Sequence, residues 1–458
     1  MPVTRMTRPG AGRKIAQVRR AARRLLYAPQ AIMGTRAPFA AAFVVAAGVT
    51  CILQGCTTDT VVEKVAAPAD DPGAPSPDAA PQPAPPEPDA GPAVDNGAPS
   101  NVFPAPHSSA RRLEKLPGPV LPLPVIIPVF FGDDAERART ETLLQQLPGS
   151  AYWKQLAEYG VGNVTIGASV VIADVAPATY SLEAIDTKVS ALWTRATNPA
   201  PAPDGTQIYA VFLPTQTTLL QVDGSPFCSA GGAYHDSKGT SFAYAITPHC
   251  SQSFDEFALS ATHELIEAAT DPYPLVTPAW AGADLAHIGD RGEVGDLCDY
   301  GGKIGGGGGI AMFGTTVERV FSNVRAAAGH DPCIPDLGVP YFGAAPVVSD
   351  DVRVNDFVLG DLPAKGALVK VGDSKTITVE LFSDRKVAPW NVAVQTVDLA
   401  TFGPSTNITA SLDRAKGENG EKLHLTVTRT AASQLGDKIQ LVSTSSEAVW
   451  TDSLFVGQ

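Results

Sequence analysis

Cysteine is scarce: six residues in 458, with no C-x-x-C pair among them, which is too few for a disulfide-dense miniprotein and argues against a Cys-ligated zinc site. Charge is scarce too. At 18% charged residues the chain is too sparse for a coiled coil or an acidic-tail protein. Acidic residues are missing altogether from positions 1–55, which hold nine Lys and Arg, so the remainder carries 25 basic against 47 acidic side chains. A surface that acidic repels phosphate, and nucleic-acid binding is excluded as the default reading. The glycine run Gly305–Gly309 lacks the G-K-[ST] ending of a phosphate loop and reads as a connection. What is present is length and apolar content, 44% hydrophobic over 458 residues, enough for two or three cores and hence for more than one domain.

Positions 37–55 form an uncharged apolar run, preceded by Arg36 and followed by Cys56. The basic, apolar and small-residue order is that of an export signal, so 1–55 reads as a signal peptide, with Met33 a second possible start. The run is short for a membrane span. Its end, Leu53-Gln54-Gly55-Cys56, resembles the L-x-G-C pattern of bacterial lipoprotein signals, which implies lipidation at Cys56 and a lipid-anchored location in the cell envelope. The Arg pairs 19–20 and 23–24 hint at twin-arginine export. Residues 66–106 contain 13 prolines among Ala, Asp and Gly, leaving little to bury, so 56–118 is expected to be a disordered Pro/Ala-rich tether.

Two folded regions are expected beyond it. Over 119–338, apolar runs at 125–131, 164–172, 207–213 and 242–247 read as strands, the first demoted to a sheet edge by Pro128. Helical patterns at 135–147, 151–159, 182–197 and 254–270 alternate with them, giving an α/β layer. Over 341–458 the period becomes two. Strands at 374–381, 390–395, 408–412, 422–428 and 438–443 describe a β-sandwich of immunoglobulin-like type. His424 in that region reads as a solvent-facing strand residue without chemistry.

The chemistry concentrates in Thr262-His263-Glu264-Leu265-Ile266-Glu267, continuing to Asp271-Pro272. Ser253 and Glu256 make a capping box and Pro272 a stop, so the motif lies on a helix. His263 and Glu267, four apart, share a face. In zinc hydrolases H-E-x-x-H clamps the ion with the i and i+4 side chains while the intervening glutamate holds a water. Here the pattern is H-E-x-x-E, and the harder carboxylate admits calcium or manganese beside the favoured zinc. The bland alternative is a polar helix stripe in which Glu267 screens His263. A third ligand has to come from elsewhere, and Glu293 or Asp296 in Glu293-Val294-Gly295-Asp296-Leu297-Cys298 is the candidate, each also readable as part of an acidic turn. His235, after the small-residue loop Gly231-Gly232-Ala233-Tyr234, either serves the site as ligand or oxyanion donor or is a hydrogen-bonded loop histidine. His249, His287 and His330 lack comparable context.

The order Y-H, H-E-L-x-E-x-x-T-D-P, E-V-G-D-L-C resembles the phosphate-induced, Exordium-like proteins of plant cell walls and their bacterial and fungal relatives, over roughly residues 120–338. The resemblance implies that His263, Glu264, Glu267, Asp271, Glu293 and Asp296 occupy recurrent positions and that the domain is zincin-like. It names no reaction.

After signal cleavage Cys228, Cys250, Cys298 and Cys333 remain, an even set with three possible pairings; the local one, 228 with 250 and 298 with 333, is favoured. Two functions fit these residues. One is a lipid-anchored, metal-dependent hydrolase, peptidase-like, with Glu264 activating water against a peptide or related acyl bond. The other is a non-catalytic surface protein that binds a peptide or cell-wall polymer, its acids holding a structural ion.

Overall fold

The computed structural model describes residues 95–108, 112–183, 187–191, 204–229, 232–251, 253–282, 292–299, 309–356, 360–401 and 403–457. The signal peptide, Cys56, the tether as far as residue 94, His287 and most of the 182–197 helix lie outside them. The described chain is mostly β, 38% strand against 16% helix.

Attachment to the fold begins before residue 119, where the tether was expected to end. The buried side chain of Asn419 gathers the segment 96–108: its Oδ1 accepts from Ala105 N–H at 3.0 Å, and its Nδ2 donates to the carbonyls of Ser100 and Val102 at 2.9 and 2.8 Å. His107 stacks on Phe382 at 3.9 Å. Strand β1 (Leu113–Lys115) then pairs with a later strand at Trp280–Gly282. Proline-rich chain can be ordered this way because side-chain amides supply the hydrogen bonds that prolines cannot.

The central sheet is built from β2 (Val125–Phe131), β3 (Thr165–Ile166), β4 (Val170–Ile172), β5 (Gln207–Phe212), β6 (Tyr234–Ser237) and β7 (Ala243–Thr247), with helix α1 (Arg137–Leu144) between β2 and β3. The order is β3-β2-β5-β7-β6, with β4 also on β2; every pair is parallel except β6 with β7. Pro128 does not place β2 at the edge: β2 lies inside the sheet. Ile126 O accepts from Gly167 and Gly132 N–H donates to Ile172, so the backbone N–H and C=O groups of even-numbered residues of β2 point toward β3 and β4. The missing N–H of Pro128 therefore falls in the break between those two short strands, where no ladder bond is lost.

Alternation along the strands divides two cores. Ile126, Phe130, Ile208, Phe212 and Ala245 face the helix α2 (Phe254–Thr270), while Ile127, Val129, Tyr209, Val211, Tyr244 and Ile246 pack on the other face with Leu219 and Phe227. Ser253 caps α2 through Glu256 N–H, and Asp271 leaves helical geometry at φ −139°, as the Asp-Pro pair dictates.

After β8 (Trp280–Gly282), the short helix α3 (Asp296–Asp299) and the hairpin of β9 (Gly309–Met312) with β10 (Thr315–Glu318), the chain enters two antiparallel-rich sheets. One orders β11 (Phe342–Pro346), β14 (Ser374–Ser383), β18 (Lys422–Arg429) and β16 (Ile408–Leu412). The other orders β12 (Asp350–Asp356), β13 (Gly360–Leu368), β20 (Val449–Gly457), β19 (Asp437–Thr444), β15 (Trp390–Asp398) and β17 (Lys416–Gly417). All five strands expected there are found; β11, β12, β13, β17 and β20 add to them. One cluster of buried apolar side chains takes in both the α2 layer and these sheets, Phe321, Tyr341 and Phe342 among them. Across them His424 is not a solvent-facing bystander: it hydrogen-bonds Asp413 at 3.1 Å and is largely covered.

Candidate metal centre

Helix α2 sets the geometry. At about 100° per residue, Glu264 sits about 100° and Glu267 about 40° round the helix from His263, so Glu267 lies between the other two. All three project toward the end of β6, β10 and the turn before α3. His235 reaches the same space because of register: it pairs with Ala245, whose side chain is on the α2 face, whereas its neighbour Tyr234 pairs with Ile246 on the opposite face.

Glu267 is the hub. Its Oε1 accepts the backbone N–H groups of Gly295 and Asp296, both at 3.1 Å, which seats the turn before α3 on the helix. Its Oε2 lies 3.2 Å from His263 Nε2 and 3.6 Å from His235 Nδ1. His235 Nδ1 is also 3.0 Å from Glu264 Oε2, and His263 Nε2 is 3.5 Å from Asp296 Oδ1. Each imidazole turns its other nitrogen to a further carboxylate: His235 Nε2 to Glu293 Oε1 at 3.6 Å, and His263 Nδ1 to Glu318 Oε2 at 3.8 Å. Gly295 is obligatory on steric grounds, since a Cβ there would stand 2.8 Å from His263 Nδ1 and 3.0 Å from Glu267 Oε1.

Six side chains expected from the sequence are thus brought together: His235, His263, Glu264, Glu267, Glu293 and Asp296. Asp271 has another task, accepting Ala279 N–H at 2.8 Å and closing the turn after α2. Glu318 was not anticipated. Its signal is a glutamate and an arginine, Glu318-Arg319, inside the otherwise buried run Val317–Phe321; Arg319 is accounted for by a buried pair with Asp331, and Glu318 faces His263. His249 and His330 stand apart, the first stacked on Phe257 and the second beside Asp384.

The electrostatics are those of crowded carboxylates. Burial alone would lower both imidazole pKa values, but the charges of Glu293 and Glu264, with the bond to Glu264, hold His235 well above its ordinary value. Glu267, Asp296 and Glu318 do the same for His263. Burial raises Glu267 and Glu293 against the opposing pull of their histidines. Asp296 is held low, because its bond to His263 and the charge there outweigh desolvation. Among the described residues, the ion pairs of Glu264, Glu267, Glu293 and Asp296 are with these two histidines.

The side chains present fit a divalent cation. Two groups of donors, His235 with Glu264 and Glu267, and His263 with Glu267 and Asp296, each have their ligand atoms within 4.8 Å of one another. Imidazole and carboxylate are ligands for zinc and, less selectively, manganese. His235 Nε2 and Glu293 Oε1 are buried and face each other beyond hydrogen-bonding distance, without another partner among the described residues.

Two disulfides flank the site, Cys228–Cys250 and Cys298–Cys333. The first joins the loop before β6 to the segment after β7; the second fastens α3, and with it the turn carrying Glu293 and Asp296. Both fit an oxidising, exported environment. Among the described residues no helix is long and apolar enough to cross a membrane. Compared with known proteins, the chain matches no family model and no curated protein.

Proposed function

We propose that this chain is an exported, lipid-anchored hydrolase that depends on a divalent cation, zinc before manganese or calcium, and acts on a peptide or related acyl bond. The observation that carries the reading is the donor set around Glu267: His235, Glu264, Glu267 and Glu318 are buried, His263, Glu293 and Asp296 close round them partly covered, and among the described residues the ion pairs of Glu264, Glu267, Glu293 and Asp296 include no lysine or arginine. Burying that much like charge without a cation costs several kcal/mol or more. The H-E-x-x-E motif and the sequence's resemblance to Exordium-like proteins support the same reading.

His263, Glu267 and Asp296 would hold the cation, which supplies Lewis-acid polarisation when bound. Glu264 is the base: its carboxylate accepts the proton of the attacking water and hands it to the leaving group. His235, through Nδ1–H at 3.0 Å, fixes the carboxylate's orientation, and Glu293 faces the far nitrogen of the ring at 3.6 Å. The anchor at Cys56 and the tether hold this domain away from a lipid surface.

The test is metal content and hydrolysis in one preparation. Full chain purified without chelator is expected to hold stoichiometric metal and to cleave at least one substrate in a peptide and ester panel. Glu264→Gln is expected to lower that rate roughly 10²-fold or more while keeping its metal. Full rate in the Gln variant removes Glu264 as base; metal without any hydrolysis favours the structural ion of a surface-binding protein.

A further inference from the structure

The cation reading uses His263, Glu267 and Asp296, yet the second donor group is as complete as the first. His235 Nδ1 stands 3.0 Å from Glu264 and 3.6 Å from Glu267, and the three ligand atoms lie within 4.8 Å of one another. Those separations suit two donors on one cation, each about 2.0–2.2 Å from it. The groups share one residue, Glu267, whose Oε2 faces both histidines. A carboxylate in that position bridges.

The outer surroundings repeat the same pattern twice. His235 presents Nδ1 to Glu267 and Nε2 to Glu293; His263 presents Nε2 to Glu267 and Nδ1 to Glu318. A carboxylate behind the non-ligating nitrogen is the device that fixes tautomer and ring orientation of a metal-binding histidine. Here a carboxylate stands behind the far nitrogen of each ring, at 3.6 and 3.8 Å, so the two histidines share one arrangement. Charge agrees: with the imidazoles neutral, as ligation requires, Glu264, Glu267, Glu293, Asp296 and Glu318 bring five negative charges. One divalent cation leaves three of them uncompensated, and two leave one.

We propose that the site takes a second divalent cation on His235, Glu264 and Glu267, bridged to the first through Glu267. This inference rests on the proposed function for the first ion and adds a second cation site to it.

Zn²⁺ titration of chelator-stripped full chain, followed by calorimetry and by metal analysis after gel filtration, decides it. Two equivalents are expected for the wild type, one for His235→Ala, one for Asp296→Asn and none for Glu267→Ala. With Mn²⁺, the two-ion form is expected to show a spin-coupled resonance that His235→Ala lacks. Glu318→Gln is expected to weaken one of the two steps 10- to 100-fold and leave the other unchanged. Uptake of one equivalent by the wild type, unaltered in His235→Ala, overturns the second site and leaves the proposed function standing. No uptake at all overturns both. The wild-type stoichiometry needs no variant, so misfolding of a mutant cannot rescue the idea.

Discussion

The side chains at the centre are mismatched in number, and that mismatch gives a pH signature. Folding without metal raises the proton affinity of His235, His263, Glu267 and Glu293, and lowers only that of Asp296. A group with a raised folded pKa stabilises below its unfolded value and loses that contribution as pH climbs through the folded one. The loss starts near 4.5 for the two glutamates and near 6.5 for the imidazoles; Asp296 runs the other way, losing its contribution as pH falls through its lowered value. Four groups outweigh one. The melting temperature of chelator-stripped protein is therefore expected to drop from about pH 5 to about pH 8, and Zn²⁺ to flatten most of that slope. A metal-free melting temperature that rises over the same range would contradict the assignment. Gly295 makes a second prediction at this scale. Alanine there pushes its Cβ into His263 and Glu267, both already held, so Gly295→Ala should weaken Zn²⁺ binding at least tenfold in the same titration with little change in secondary structure by circular dichroism.

At the scale of elements, α2 carries three of the site's residues and owes its start to Ser253. The cap bond to Glu256 N–H is long, 3.5 Å, so Ser253→Ala is expected to cost about 0.5–1 kcal/mol, the low end for a lost cap, measured by urea unfolding. The turn before α3 is held differently, by Glu267 from one side and by the Cys298–Cys333 bridge from the other. Replacing both cysteines by serine is expected to destabilise by roughly 3 kcal/mol and to reduce affinity for the ion on Asp296. If unfolding energy falls but both binding steps survive unchanged, the bridge serves stability alone. β2 teaches the opposite lesson about local signals. Pro128 is a strand-edge residue by propensity, and it became internal because its missing donor met a gap between two short neighbours.

Across the whole molecule, the central layer and the two terminal sheets share one cluster of buried apolar side chains, and the segment 96–108 is fastened to the terminal sheets by one buried amide. Asn419 also accepts Ser383 N–H at 2.9 Å, so its removal strands several backbone groups at once. Asn419→Ala is expected to cost about 2–4 kcal/mol, since each buried polar group left unsatisfied costs about 1–3 kcal/mol, and to open 96–108 to limited proteolysis. Resistance of that segment to protease in the variant would show that His107 on Phe382 and Ser108 on Glu380 suffice to hold it.

Alternation alone placed β14, β15, β16, β18 and β19, because each has one face buried and one wet, and a period of two records that directly. It was silent on β20, Val449–Gly457, which is buried nearly throughout, on β11, whose small residues Gly343, Ala344 and Ala345 carry no periodic contrast, and on β13 with its Gly and Pro. For the site, the helical repeat put His263 beside Glu267, since an i to i+4 spacing is a local property of the chain. Local spacing also framed α2 between Ser253 and Pro272. What no local rule could supply was Glu318 behind His263, or His235 turned toward Glu264: those depend on strand register against Ala245 and on a hairpin packed over the helix. Such contacts join residues dozens of positions apart, and only the folded packing of strand on helix decides which carboxylates meet which imidazole.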